Sequence, residues 1–164
     1  MRVGIGYDSH PLGVGRKLIL GGVDIPHDKG LLGWSDADAA THAVVDALCG
    51  AADLGDIGTQ FPSLEPEYEN ISSLVLLSKT GEQVKAKGFE VVNIDVTIIA
   101  QQPKLLPFIL EMRKHLSRAL GIRLTQVTVK ATTTNGLGFI GRGEGIAAQA
   151  IALIQGQCLV SETA

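Results

Sequence analysis

From Ala37 to Ala51 the chain reads ADAATHAVVDALCGA, and nearly every position is a small apolar residue. A helix of that composition has almost no solvated face, so it must be covered on most sides. Ser35 and Asp38 form the Ser-x-x-Asp pattern of a capping box, which predicts a helix from Ser35 to about Asp53. Its polar residues Asp38, His42 and Asp46 stand at i, i+4 and i+8, one stripe along an apolar rod. A chain of 164 residues has little material to enclose such a rod, which argues for an oligomer.

The other segments supply partners for that helix. Arg2 to His10 alternates Val3, Ile5 and Tyr7 against Gly4, Gly6, Asp8 and His10, a strand with one apolar face. Asp8 and His10 share the other face. Lys17 to Ile25, interrupted by Gly21-Gly22, predicts a short hairpin or an irregular extension. Ser72 to Lys87 reads as a second helix that stops at Gly88, and Phe89 to Gln101 as a strand. Pro103 suits the first turn of a third helix, whose Leu105, Ile109, Met112, Leu116 and Leu120 keep helical spacing up to Gly121. Val127 to Ala131 is a further strand, and Gly143 to Gln155, whose periodicity fits strand or helix, is read as a strand from its β-branched and glycine content. Strands and helices alternate without repeats or linkers, so the expectation is one domain over residues 1–164 ending in a short flexible tail. The fold class is α/β (α+β), a single mixed β-sheet with helices packed on one face.

Charge and composition narrow the function. A net charge of −3 excludes nucleic acid as the main partner, because phosphate-backbone binders carry a basic excess. Two cysteines, Cys49 and Cys158, both in apolar sequence, make no disulfide framework and suit a reducing compartment. With no secretory or transit signal and no apolar run of about 18 residues, a cytoplasmic protein with no membrane partner is expected.

Asp8 and His10 aim a carboxylate oxygen and a ring nitrogen to one side, and His42 can add a second imidazole. Three such ligands leave one tetrahedral position open, the pattern of a catalytic or substrate-orienting zinc. Asp38 and Asp46 are candidate acceptors for the other nitrogen of His42. The ordinary alternative is a pair of hydrogen-bonded structural histidines, with Asp38 only capping the helix. Gly136 to Gly141 matches G-x-G-x-x-G, but too little chain follows for a βαβ unit, which excludes a dinucleotide fingerprint. Lys130 to Gly136 instead reads as a strand end entering a hydroxyl-rich loop, either a phosphate cradle or a solvated turn.

Taken together these blocks resemble one family. They are Gly6-Tyr7-Asp8-Ser9-His10; Gly22-Val23-x-Ile25-Pro26; Ser35-Asp36-Ala37-Asp38 with His42; and Leu54-Gly55-Asp56-Ile57-Gly58 with Phe61-Pro62. Asn93 to Gln101 with Pro103-Lys104, Val129 to Thr134, and Leu137 to Ala147 complete the set. The chain is similar along nearly its whole length to the 2-C-methyl-D-erythritol 2,4-cyclodiphosphate synthase family.

That resemblance implies a ferredoxin-like, trimer-forming enzyme of non-mevalonate isoprenoid biosynthesis with its active sites between subunits. Its substrate would be 4-diphosphocytidyl-2-C-methyl-D-erythritol 2-phosphate, a small cytidine diphosphate compound, converted to the cyclic diphosphate with release of CMP. One divalent metal per subunit, Zn2+, would sit on Asp8, His10 and His42, and a second cation, Mg2+ or Mn2+, on the diphosphate. Ser9 and Ser35 would join Asp8 and His10 at the substrate. Asp56, Ile57 and Gly58 would meet the erythritol hydroxyls, and Phe61, Pro62, Ser63, Leu64 and Glu65 would flank them. The loop Ala100, Gln101, Gln102, Pro103, Lys104, Leu105 and Leu106 would hold the cytidine from the adjoining subunit. Thr132, Thr134, Asn135, Phe139 and Arg142 would surround the phosphates, with Thr133 as the catalytic hydrogen-bond donor. An isoprenoid diphosphate could occupy a central cavity of the trimer near Arg142 and Glu144.

This sequence departs from the family's pattern at several positions. Trp34 replaces a histidine associated with transition-state stabilisation, and an indole offers one N–H donor and no titratable group. Asn135 replaces a glutamate associated with the second cation, while Ser63 and Glu65 stand where aspartates are common. A zinc-holding phosphate sensor without catalysis and a generic zinc phosphohydrolase are the competing classes.

Overall fold

The computed structural model describes residues 1–156, so Cys158 and the expected tail lie outside the described residues. A mixed sheet carries β1 (Arg2–Gly13), β4 (Gly30–Leu31), β5 (Phe89–Ile99), β6 (Val127–Thr132) and β7 (Gly145–Gly156) in the order β4-β1-β7-β5-β6. Only β5 and β6 run parallel; β1–β4, β1–β7 and β5–β7 are antiparallel. β2 (Leu18–Leu20) and β3 (Val23–Ile25) form the expected hairpin, turning at Gly21 and Gly22 with φ of 56° and 73°.

The helices α1 (Ala39–Ala52), α3 (Ser73–Ala86) and α4 (Ile109–Leu120) pack on one face of the sheet, and α2 (Ile57–Gln60) and α5 (Gly138–Gly141) are single turns. Inward residues of the two central strands pair directly: Ile94, Val96 and Ile98 of β5 lie opposite Ala152, Ala150 and Ala148 of β7, and all are buried. The final segment is a strand, as its composition predicts, and its alanines leave room for α1 to lie close.

The first strand reverses the simplest reading of its alternation. Its large residues Val3, Ile5 and Tyr7 are 68%, 63% and 56% exposed, while Gly4 and Gly6 face α1. A methyl group built on Gly4 would lie 2.0 Å from the Ala47 carbonyl oxygen, and one on Gly6 equally close to that of Ala43. Strand and helix therefore meet backbone to backbone, which only glycine permits. α1 is enclosed within the chain by β1, β7, α3 and the β2–β3 hairpin, so its burial needs no second subunit.

Two boundaries differ from expectation. The helix begins at Ala39, not Ser35, because Asp38 is the cap: its carboxylate accepts the Thr41 N–H at 3.0 Å. The same carboxylate accepts the Gly21 and Gly22 N–H groups at 2.9 and 2.7 Å and the Thr41 hydroxyl at 2.6 Å, stitching α1 to the hairpin. Ser35 instead accepts the Ala37 N–H across a turn in which Ala37 has a φ of 56°. Pro103 does not open α4 either. It follows a cis peptide bond inside the 100–105 loop, and Pro107 occupies the turn Leu106–Phe108 that leads into α4.

Candidate metal centre and active site

β1 carries Asp8 and His10 on its helix-facing side, and α1 presents His42 against them. Asp8 Oδ2 lies 2.9 Å from His10 Nε2 and 3.1 Å from His42 Nδ1, and the two nitrogens are 3.2 Å apart. A tetrahedral ion with bonds of about 2.0–2.1 Å has ligand edges of roughly 3.3 Å, so the triangle matches three ligands of one zinc-sized ion. The tautomers agree. His10 Nδ1 is 2.8 Å from the Leu32 carbonyl oxygen, which only accepts, so this nitrogen carries a proton and Nε2 is free to face the cluster. His42 turns Nε2 away, 2.8 Å from Ser73 Oγ. Among the described residues this is the group of acidic and imidazole side chains with metal-ligand spacing.

Electrostatics follow from the crowding. Burial opposes ionisation of Asp8, but its contacts with the His10 and His42 rings outweigh this and hold its carboxyl well below the usual range. Burial also disfavours a charged His10, yet the Asp8 carboxylate and the Leu32 carbonyl outweigh it and raise the imidazole's pKa.

The triad forms one end of a cavity of about 200 Å³ that also takes in Trp34, Ser35, Ile57, Gly58, Phe61, Pro62 and Ser63. The Trp34 indole N–H donates to the Glu65 carbonyl at 3.1 Å and so pins the loop that carries Pro62 to Glu65. Asp56 caps α2 through the Thr59 N–H. Leu64 and the Glu65 side chain point outward, and Ser9 lies on the opposite face of β1. A second cavity, about 540 Å³, is walled by Ala100 to Leu106 together with Thr132 and Thr133. Beside it, Thr133 Oγ1 lies 3.3 Å from Asn135 Oδ1, and Thr134 Oγ1 donates to the Leu137 carbonyl. Phe139 is partly exposed, and Arg142 pairs in two-pronged fashion with Glu144. The two cavities share no lining residue.

Sequence spacing missed several participants. Asp38 and Asp46 do not support His42: Asp38 is spent on capping, and Asp46 accepts the Ile57 N–H at 2.8 Å, fixing the start of α2. Tyr68 and Leu76 line the triad's cavity. Arg16 donates to the carbonyls of Ser35 and Gly33 and to Asn70 Oδ1, at 2.6, 3.3 and 3.0 Å, holding the loop before α1 from outside. No local pattern marks these residues, because each acts across a long stretch of chain.

Comparison with known proteins accounts for the combination. The model of the YgbB family matches residues 1–155. The 2-C-methyl-D-erythritol 2,4-cyclodiphosphate synthase of Alkaliphilus metalliredigens is 58% identical over 159 residues, covering 97% of this chain and 99% of that one. The bifunctional IspDF of Campylobacter jejuni superposes with a TM-score of 0.91 at 40% identity, over 94% of this chain and 42% of that longer one. The CDP complex of Plasmodium falciparum IspF gives 0.84 at 33% identity, over 96% and 97%. On this sequence and fold likeness, together with the triad in its cavity, the chain belongs to the YgbB family, that of the 2-C-methyl-D-erythritol 2,4-cyclodiphosphate synthases.

Proposed function

We propose that the Asp8–His10–His42 triangle holds a zinc ion that orients a phosphate of 4-diphosphocytidyl-2-C-methyl-D-erythritol 2-phosphate, and that the reaction is the family's cyclisation. An oxygen of the 2-phosphate attacks the β-phosphorus, the bond from that phosphorus to the CMP oxygen breaks, and CMP leaves with the electron pair. The observation that carries this reading is the triangle of three donors, spaced as a zinc ion needs, opening into a cavity. Held by Asp8, His10 and His42, zinc would supply charge neutralisation for a substrate phosphate.

The chain's own residues do the rest. Ser35 Oγ stands beside His42 and donates to the same phosphate. Ile57 and Gly58 border the space for the erythritol hydroxyls, next to Asp56 at the start of α2, while Phe61 and Leu76 keep that space apolar and limit water, which would otherwise compete with cyclisation. The cavity along Ala100 to Leu106 takes the cytidine, with Lys104 near its phosphate. Thr133 gives up its long contact to Asn135 and donates to the reacting phosphoryl oxygen. Asn135 offers only a neutral oxygen to a second cation, so magnesium or manganese would rest mainly on the substrate's phosphates.

Two features support a homotrimer with sites between subunits. The metal-side and nucleotide-side cavities share no lining residue within one chain, which suits a substrate held between two copies. The apolar face of β1 is left uncovered. Among the described residues no helix is long and apolar enough to cross a membrane, and the cytoplasm is the proposed location.

The test is to incubate the protein with the cytidylylated substrate, zinc and magnesium and to follow phosphorus NMR. CMP and cyclic diphosphate in equal amounts are expected. A linear phosphate product would mean hydrolysis, and binding without turnover would mean a sensor.

A further inference from the structure

We infer that Asp36, acting through the hydroxyl of Ser73, is the positioning group that sets His42 as a metal ligand. This inference rests on the metal reading of the triad. Three separate segments meet behind His42: the loop before α1, the first turn of α3, and α1 itself. Ser73 is fully buried, and its Oγ lies 2.8 Å from His42 Nε2. The same hydroxyl donates to Asp36 Oδ1, while the Ser73 N–H donates to Asp36 Oδ2 at 2.9 Å.

The proton count decides the direction. A serine hydroxyl has one proton, and the carboxylate, which only accepts, takes it. The lone pairs left on Oγ then accept the His42 Nε2–H, so Nδ1 is the bare nitrogen turned toward Asp8 and His10. Ser35 Oγ, at 3.2 Å from the same nitrogen, is the longer contact and already accepts the Ala37 N–H. Asp36 is itself held by the Ser73 N–H and by the Asp38 N–H at 3.2 Å. Metal-bound histidines commonly give their second N–H to a carboxylate. Here a serine is interposed, so the carboxylate orients the ring from one residue further away. The docking of α3 is thereby coupled to ligand geometry in α1.

The experiment uses the full chain and zinc alone. Long-range proton–nitrogen NMR of the zinc-loaded, nitrogen-labelled protein should show His42 protonated at Nε2 and metal-bound at Nδ1. Competition with a chromophoric chelator should then give zinc binding about 10–100-fold weaker for Ser73→Ala, with a smaller loss in the same direction for Asp36→Asn. Zinc affinity of Ser73→Ala within about twofold of the unsubstituted protein would overturn the inference, even if the variant melts earlier, because that pattern marks a purely structural serine. So would His42 protonated at Nδ1 in the unsubstituted protein, a measurement that stands if the variant fails to fold. Absence of zinc binding by the unsubstituted protein would instead remove the metal reading and the relay with it.

Discussion

His10 Nε2 and His42 Nδ1 face each other across 3.2 Å beside a carboxylate, an arrangement of acceptors that needs a proton or a cation among them. A proton on His10 Nε2 competes with metal, and the raised pKa of His10 extends that competition to higher pH. Zinc affinity should therefore climb at least about tenfold per pH unit below the His10 pKa, because protons compete for the ligand imidazoles, and flatten at higher pH. Asp8 is held so far down that it stays ionised throughout and adds no slope. Zinc titrations between about pH 5 and pH 8 check this; a flat profile would remove His10 from the ligand set. Trp34 poses a different question at the same scale. Its indole cannot replace a histidine's charge, but it does anchor the Glu65 carbonyl and walls the cavity. Trp34→Phe keeps most of the wall and loses one hydrogen bond worth about 0.5–1.5 kcal/mol, so KM should rise roughly two- to tenfold with little change in kcat. A fall in kcat alone would instead place the indole N–H at the reacting phosphate.

At the scale of elements, the site depends on how closely β1 and α1 approach. Gly6 sits two residues before Asp8, and any side chain there meets the Ala43 carbonyl and the Ala47 N–H region of the helix. Gly6→Ala should push α1 outward, destabilise the fold by about 1–3 kcal/mol and weaken zinc binding, because His42 moves with the helix. A thermal melt and a zinc titration on the same sample check it; unchanged zinc affinity would mean that the triad does not depend on this contact. The sequence of β1 showed the alternation and the shared face of Asp8 and His10. It did not show which face the helices would cover, since Val3, Ile5 and Tyr7 look like the core side to any pattern based on hydrophobicity. The capping pattern misled for a related reason: Ser35 and Asp38 both suit a helix start, and the choice fell to Asp38 because three N–H groups and a hydroxyl converge on its carboxylate.

At the scale of the whole molecule, the uncovered face of β1 is the surface on which the proposed assembly would pack. Ile5 is exposed in the single chain, so Ile5→Asp should leave the melting temperature of an isolated subunit nearly unchanged while light scattering reports monomers and turnover is lost. A trimer that persists in this variant would exclude that face as the interface. The amino-acid sequence by itself determined the order of the main strands and helices, the shared face of Asp8 and His10 on β1, and, through its ordered motifs, the family. These are local: each depends on residue type and on spacing within one element or one motif. Only the tertiary structure decided that α1 is enclosed by its own chain, that Asp36 and Ser73 stand behind His42, and that Arg16 holds the loop before the helix. The Arg16–Ser35 and Ser73–Asp36 hydrogen bonds, for example, join residues 19 and 37 positions apart along the chain. Hydrogen bonds between such distant segments form only once the sheet and helices have packed, and no sequence period records them.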